Sequence, residues 1–286
     1  MTDIKHALRH AIGMLVPKSD SAHIDAEVLL AHVLGKSRTF LYTHPEMLLD
    51  AKQWVTFQEL TEKRCEGRPI AYLIGHREFW SLQLRVSEDT LIPRPETELM
   101  VELTLNLLKS VSPATILDMG TGSGAIALAI ASERPDWQVF ASDSSQAALD
   151  IASHNAKQFG LTNIQMCYSD WFASLPNQQF NAIVSNPPYI AKNDFHLNQG
   201  DIRFEPQLAL VSGEDGLESI THLIKNSYDR LLPNGLLLLE HGFEQKQAVT
   251  LLLSQYGYQR VNCWQDNQGH DRISGGWRGG VGAVLP

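Results

Sequence analysis

From Pro95 onward the sequence keeps to one grammar, in which helix-period and strand-period runs alternate. That alternation constrains the fold more than any other feature. The spacing predicts helix over 96–108, strand over 114–119, helix from 124 until Pro135 stops it, strand over 138–142, helix over 145–159 and strand over 163–169. It continues with strand over 180–185, a long loop, helix over 216–230, strand over 235–240, helix over 244–256 and two last strands. Regular alternation of this kind implies an α/β fold, with a mainly parallel sheet covered by helices on both faces and ligands bound at the carboxyl ends of the strands.

The first 75 residues follow a different pattern. Ile4, Leu8, Ile12 and Leu15 recur at helical spacing until Pro17. Asp20 or Ser21 can cap a second helix ending at Gly35, Ser37 can open a third, Pro45 suits a helical first turn, and 52–66 reads as a further helix before Gly67. Around Glu78-Phe79-Trp80 the period drops to two, which suggests a hairpin leading to Pro93-Arg94-Pro95. The expected organisation is therefore a small all-helical domain over 1–75, a hairpin linker over 76–95 and an α/β domain over 96–286, with residues 275–286 glycine-rich and loose.

Composition narrows the function classes. Hydrophobic residues make up 43% and charged residues 19%, so the chain can bury a core. The leucine run Leu236 to Leu239 is far short of the roughly 18 apolar residues of a membrane span. The N-terminus has no secretory leader pattern, and a cytoplasmic protein with no membrane partner is expected. Cys65, Cys167 and Cys263 are widely spaced, which favours buried thiols over a disulfide framework. His196, His241 and His270 lack metal-ligand spacing, so no metal is expected. Residues 1–85 carry 11 Lys/Arg against 10 Asp/Glu, leaving the remainder 12 against 22. Such an acidic balance argues against nucleic acid as a direct partner, because duplex binding needs clustered cations.

Two motifs carry chemistry. Gly120-Thr121-Gly122-Ser123-Gly124 stands where a strand turns into a helix, and Asp143 lies 19 positions further on, at the end of the next strand. Glycines there allow close backbone approach, and a carboxylate at that place can accept from two ribose hydroxyls. An adenosine ligand follows, either a dinucleotide or S-adenosylmethionine. The second motif, Asn186-Pro187-Pro188-Tyr189, follows the strand over 180–185. An amide nitrogen is a poor nucleophile because its lone pair is delocalised. The Asn186 side-chain oxygen and the Pro187 carbonyl can hold both its N–H groups, the prolines keep those acceptors rigid, and Tyr189 can pack a planar group. Catalysis then rests on positioning and electrostatics, with no strong base required.

Together the two motifs resemble the class I S-adenosylmethionine-dependent methyltransferases that act on planar nitrogens. Gly75, Glu78-Phe79-Trp80, Leu91-Ile92-Pro93-Arg94-Pro95-Glu96-Thr97-Glu98, Ser169-Asp170-Trp171, Arg203-Phe204-Glu205-Pro206 and Gly269-His270-Asp271-Arg272 extend the likeness along nearly the whole chain, to the release-factor glutamine N5-methyltransferase family. That resemblance implies a Rossmann-like, seven-stranded catalytic domain behind a helical domain, and the helical domain is expected to dock the protein substrate because a flexible loop needs additional contacts to be recognised. It implies S-adenosylmethionine as cofactor, held by Gly120 to Gly124, with Asp143 at its ribose, Asp170 and Trp171 flanking its adenine, and Asn186 also touching it. Asn186, Pro187, Pro188 and Tyr189 would bind the substrate and be catalytic, the substrate being the glutamine of the Gly-Gly-Gln segment of peptide chain release factors. Arg94, Glu96 and Glu98 are either substrate contacts or a charged helix start, and Trp80 is expected to pack in the linker. Competing readings are an amino-methyltransferase acting on adenine or cytosine, a ribosomal-protein glutamine methyltransferase, a dinucleotide oxidoreductase, and a noncatalytic binding module that keeps the cofactor pocket.

Overall fold

Five helices account for most of the first 75 residues: α1 (Ile4–Leu15), α2 (Ala22–Leu34), α3 (Arg38–Thr43), α4 (Ala51–Cys65) and α5 (Ile70–Ile74). The computed structural model describes residues 2–280. Asp3 starts α1 by accepting the His6 N–H at 2.8 Å, and Ile4, Ala7, Ala11 and Leu15, spaced three and four apart, are fully buried along one stripe. That stripe packs with Leu29, Leu30 and Phe57 into a core of its own. A reciprocal capping box between Asp50 and Gln53 opens α4. Pro45, expected in a helical first turn, lies instead in a turn, because the carbonyls of Pro45 and Met47 accept the N–H groups of Lys5 and Ile4. The backbone there is committed to the start of α1.

The chain divides into two units, one running to His76 and including His196–Phe204, the other holding Arg77–Phe195 and the residues from Glu205 onward. In the first, the half-buried Arg64 guanidinium donates to Asp25 at 2.8 Å and to Asp201 at 2.9 Å, so a charge on α4 holds the later segment.

A hairpin follows, β1 (His76–Phe79) paired with β2 (Leu82–Arg85), whose turn residues Trp80 and Ser81 both have positive φ, as a two-residue hairpin turn demands. Next come a 3-10 turn over Pro95–Thr97 and α6 (Glu98–Leu107). The sheet is then built from β3 (Thr115–Met119), β4 (Gln138–Asp143), β5 (Ile164–Tyr168), β6 (Phe180–Ser185), β7 (Leu231–Glu240), β8 (Gln259–Gln265) and β9 (Asp271–Trp277). Between them lie α7 (Ala125–Glu133), α8 (Gln146–Gln158), α9 (Glu218–Ser227) and α10 (Lys246–Gln255). The order across the sheet is β5-β4-β3-β6-β7-β9-β8, parallel from β5 to β7, with β9 antiparallel to both its neighbours.

Alternate residues of the central strands enter two cores. Ile116, Val139, Val184 and Leu236 pack with α6 and α7 on one face, whereas Leu117, Phe140, Ile183 and Leu237 pack with α9 and α10 on the other. Burial on both faces explains why these strands read as continuous apolar runs. The chain steps outward through β3, β4 and β5, then crosses back to start β6 beside β3. The carboxyl ends of β3 and β6 therefore flank the point where strand order reverses, which in such sheets opens a crevice.

Three further expectations are corrected. Strand β7 begins at Leu231, not 235, because a register shift between Phe180 and Ala182 lets the strand pass through Asn234 at φ 62°. Residues 275–277, expected to be loose, form the end of β9 between β7 and β8; a Cβ on Gly275 would lie 2.4 Å from the Leu237 carbonyl oxygen, so glycine serves close strand approach there. Of the rest of that tail, residues 281–286 lie outside the described residues. Cys167 is buried, but Cys65 and Cys263 are only partly so; burial pushes all three thiols up, away from the thiolate.

Candidate functional site

A cavity of about 540 Å³ opens at the reversal point, at the carboxyl ends of β3, β4 and β6. Gly120, Thr121, Gly122, Ser123, Asp143, Asp170, Trp171, Asn186 and Pro188 all line it, brought together from four separate stretches of sequence. Gly124, Pro187 and Tyr189 stand outside that wall. Gly124 precedes α7 at φ 88°, where an added Cβ would come within 2.8 Å of the Leu128 side chain. Pro187 is buried. The Tyr189 ring packs against the core on the α9 side, and its hydroxyl points to Glu240.

The glycine loop is fixed mainly by backbone bonds. The N–H groups of Gly120 and Thr121 both donate to the Ser142 carbonyl at 2.9 Å. Gly122 N–H donates to Asp143 Oδ2, and Ser145 N–H to Oδ1, each at 2.9 Å, so the carboxylate is held at both oxygens before any ligand arrives. Buried Asn155 adds a tie, donating to the carbonyls of Ser123 and Arg85 at 2.9 and 3.0 Å and accepting the Arg85 N–H. Beneath the loop, Asp118 accepts from the Thr121 hydroxyl at 2.6 Å and the Ala127 N–H at 3.2 Å. Burial pushes its carboxyl up to about 7, against the pull of those donors.

The Asn186 side is fixed by residues far away in sequence. The Asn186 side-chain nitrogen donates to the Thr97 hydroxyl at 3.3 Å. Thr97 in turn donates to Glu240 Oε2 at 2.7 Å, and the Tyr189 hydroxyl to Glu240 Oε1 at 3.4 Å. Glu240, at the end of β7, is 1% exposed, and burial pushes it up to about 7 although Thr97, Arg272 and Tyr189 oppose the rise. Burial likewise pushes the Tyr189 phenol up, with Glu240 adding to it. Arg94 pairs with Glu205, whose other oxygen accepts the Ile92 N–H at 3.2 Å. Glu98 accepts the Trp80 N–H at 2.8 Å, and Glu96 is half-buried. Trp80 packs beside the core and donates its indole N–H to Glu133 at 2.8 Å. Sequence reading did not single out Thr97 or Glu240 as site residues; an acid at the end of an apolar strand was the available signal for Glu240.

His241 is fully buried, bonded to the Gly242 carbonyl and the Ser274 hydroxyl at 2.8 Å each, and its burial lowers its proton affinity. His270 is exposed. Among the described residues no three His, Cys, Asp or Glu side chains group as a metal site, and no helix is long and apolar enough to cross a membrane.

Residues 6–75 match the family model of the PrmC N-terminal domain, and residues 97–202 that of the methyltransferase small domain. The release factor glutamine methyltransferase of Shewanella oneidensis is 47% identical over 280 residues, 98% of either chain. That of Escherichia coli is also 47% identical, over 95% of this chain and 98% of its own. The chain belongs to the release factor glutamine methyltransferase family. Among solved structures, the hMettl16 catalytic domain in complex with a MAT2A 3′UTR hairpin superposes with a TM-score of 0.59 at 17% identity, covering 90% of this chain and 94% of that one, a likeness of fold.

As a member of that family the enzyme takes S-adenosylmethionine as cofactor. The cavity fits it. At Gly120 and Gly122, both on the wall, an added Cβ would meet no atom within 4 Å, so the backbone there borders open space that a ligand can reach. Asp143 offers a pre-ordered carboxylate, and the apolar face of Trp171 stands on the same wall. Volume, acceptor and aromatic face suit an adenosine-bearing molecule.

Proposed function

We infer that this enzyme methylates the side-chain amide nitrogen of the glutamine in the Gly-Gly-Gln segment of peptide chain release factors. The observation that carries the reading is the placement of Asn186 and Pro188 on the same cavity wall as the glycine loop and Asp143, with the Asn186 amino group engaged by the Thr97 hydroxyl. S-adenosylmethionine, when bound, supplies an electrophilic methyl group.

The chain's own residues then do four things. Asp143 accepts from the ribose hydroxyls, its own carboxylate already aligned by two backbone N–H groups. Gly120 to Ser123, on the cavity wall, admit the methionine part, and Asp170 and Trp171 flank the adenine. The Asn186 side-chain oxygen and the Pro187 carbonyl accept the two N–H groups of the substrate glutamine. Holding both N–H groups turns the nitrogen toward the methyl and stabilises the positive charge that grows on it. The proton lost from nitrogen then leaves by way of those acceptors to water, so a strong base in the cavity is not required. Tyr189 acts from behind this clasp, through packing and its bond to Glu240.

The helical unit serves as a docking surface for the release factor, in the cytoplasm, because a flexible glutamine-bearing loop needs further contacts to be told from other exposed glutamines. Val16 and Ile24 are 60% and 52% exposed there. If they form part of that surface, aspartate at both positions raises KM for the protein substrate with little change in kcat. An unchanged KM removes them from it.

The test of the whole reading is transfer of labelled methyl from S-adenosylmethionine to three substrates offered side by side: unmethylated release factor, the ribosomal protein, and an oligonucleotide. Label in release factor alone is expected. Label in the oligonucleotide alone would move the enzyme to the base amino-methyltransferases, which use a similar grip on a flipped base.

A further inference from the structure

The carboxamide of Asn186 can point either of its ends at the substrate, and only one end is useful. Its oxygen can accept from the glutamine amide; its amino group would set donor against donor. The two orientations have nearly the same shape, so packing alone does not choose between them. What distinguishes them is the partner that the other end of the carboxamide meets. Thr97 Oγ1 stands 3.3 Å from the Asn186 nitrogen, and when Glu240 is ionised the Thr97 hydroxyl must donate to its Oε2, 2.7 Å away. With that proton spent, the Thr97 oxygen is left as an acceptor toward Asn186, and a flipped carboxamide would face it with a second acceptor.

We propose that Thr97 and Glu240 are positioning residues that lock the Asn186 carboxamide with its oxygen toward the substrate glutamine. The proposal rests on the reading of Asn186 as the acceptor of the substrate amide. Glu240 is suited to the task by its fixed place: β7 pairs with β9 at Glu240 opposite Ile273, and the Tyr189 hydroxyl occupies the second carboxylate oxygen. Thr97 is suited because the end of the 3-10 turn and the start of α6 hold its backbone, and it is almost completely buried while still reaching the cavity. Tyr189, which stands outside the cavity wall, gains a function here: its hydroxyl braces the acid that orients its neighbour three residues earlier in the chain.

The decisive variants are Thr97→Val, which keeps shape and removes the hydroxyl, and Thr97→Ser, which restores it. Two readouts are taken on the full-length enzyme: steady-state kinetics with release factor, and the side-chain amide NMR signals of Asn186 with S-adenosylhomocysteine bound. In Thr97→Val we expect kcat to fall at least about tenfold while the Kd for S-adenosylhomocysteine stays within about threefold, since the lost interaction aids transfer and not cofactor binding. The Asn186 amide protons should exchange faster and shift. Thr97→Ser should recover most of kcat and the original signals. Full activity in Thr97→Val, a matching loss of cofactor affinity, or failure of serine to rescue would each overturn the proposal. A wild-type enzyme inactive on release factor would instead refute the substrate reading, while the amide signals would still report whether Thr97 locks Asn186.

Discussion

The two halves of the cavity wall are built by opposite strategies. Around the glycine loop, almost every group that orients the site lies within about 30 residues of it, and most of the bonds are to backbone: Asp143 is held by Gly122 and Ser145, and the loop by the Ser142 carbonyl. Around Asn186 the orienting groups are Thr97, 89 positions earlier, and Glu240, 143 positions beyond Thr97. A cofactor that many enzymes share can be met by a local, self-contained turn. A substrate amide that must be held in one orientation draws on side chains brought in from across the sheet.

The largest effect should separate the halves cleanly. Asn186→Ala is expected to lower kcat by roughly 10²–10³-fold, the usual result of removing one donor or acceptor that acts in the transition state, while cofactor affinity measured by calorimetry changes little. An equal loss in both would merge the two regions into one. Asp143→Ala should do the reverse. Losing a charged partner to the ribose is worth roughly 1.5–3 kcal/mol, so the cofactor Kd should rise about 10- to 100-fold, with kcat at saturation less affected. Unchanged affinity would make Asp143 a brace for the loop alone.

The difference between the halves also decided what could be read in advance. Gly120 to Ser123, Asp143, Asn186 and Pro188, which the fold brings to one cavity wall, were legible as candidates because each motif is short and carries its chemistry within itself. The order of strands and helices was legible from periodicity, since strands buried on both faces show as unbroken apolar runs. What stayed hidden depends on distant partners. Pro45 looked like a helix start until the N-terminal backbone claimed its carbonyl, and the glycines at 275 and 276 looked loose until β7 and β8 closed on either side. Glu240 looked like the end of a strand, and only the fold sets it behind Asn186 through Thr97.

Glu240 offers a smaller effect, read as stability. Burial raises its carboxyl from 4.5 to about 7. The folded chain therefore holds a proton that the unfolded chain has lost between those values, and the stabilising contribution, full below about 4.5, fades as pH rises through 7. Glu240→Gln removes that dependence. The variant should gain stability relative to wild type between pH 5 and 8, on the order of 2 kcal/mol, as measured by urea unfolding at several pH values. A difference that does not grow with pH would mean that Glu240 titrates as an ordinary carboxyl. Smallest of all should be Trp80→Phe, which loses the bond to Glu133 at a partly exposed site. A cost of about 1 kcal/mol or less, with turnover unchanged, would confine the hairpin turn to packing; a drop in kcat would draw it into the substrate side of the comparison.

The most direct test is mass spectrometry of digested release factor after incubation with S-adenosylmethionine and either the wild-type enzyme or Asn186→Ala. One added methyl group, localised to the glutamine of Gly-Gly-Gln, is expected with the wild type and is expected to be nearly absent with the variant. A methyl group on another residue, or equal modification by both enzymes, would contradict the assignment of Asn186 as the group that holds the glutamine amide.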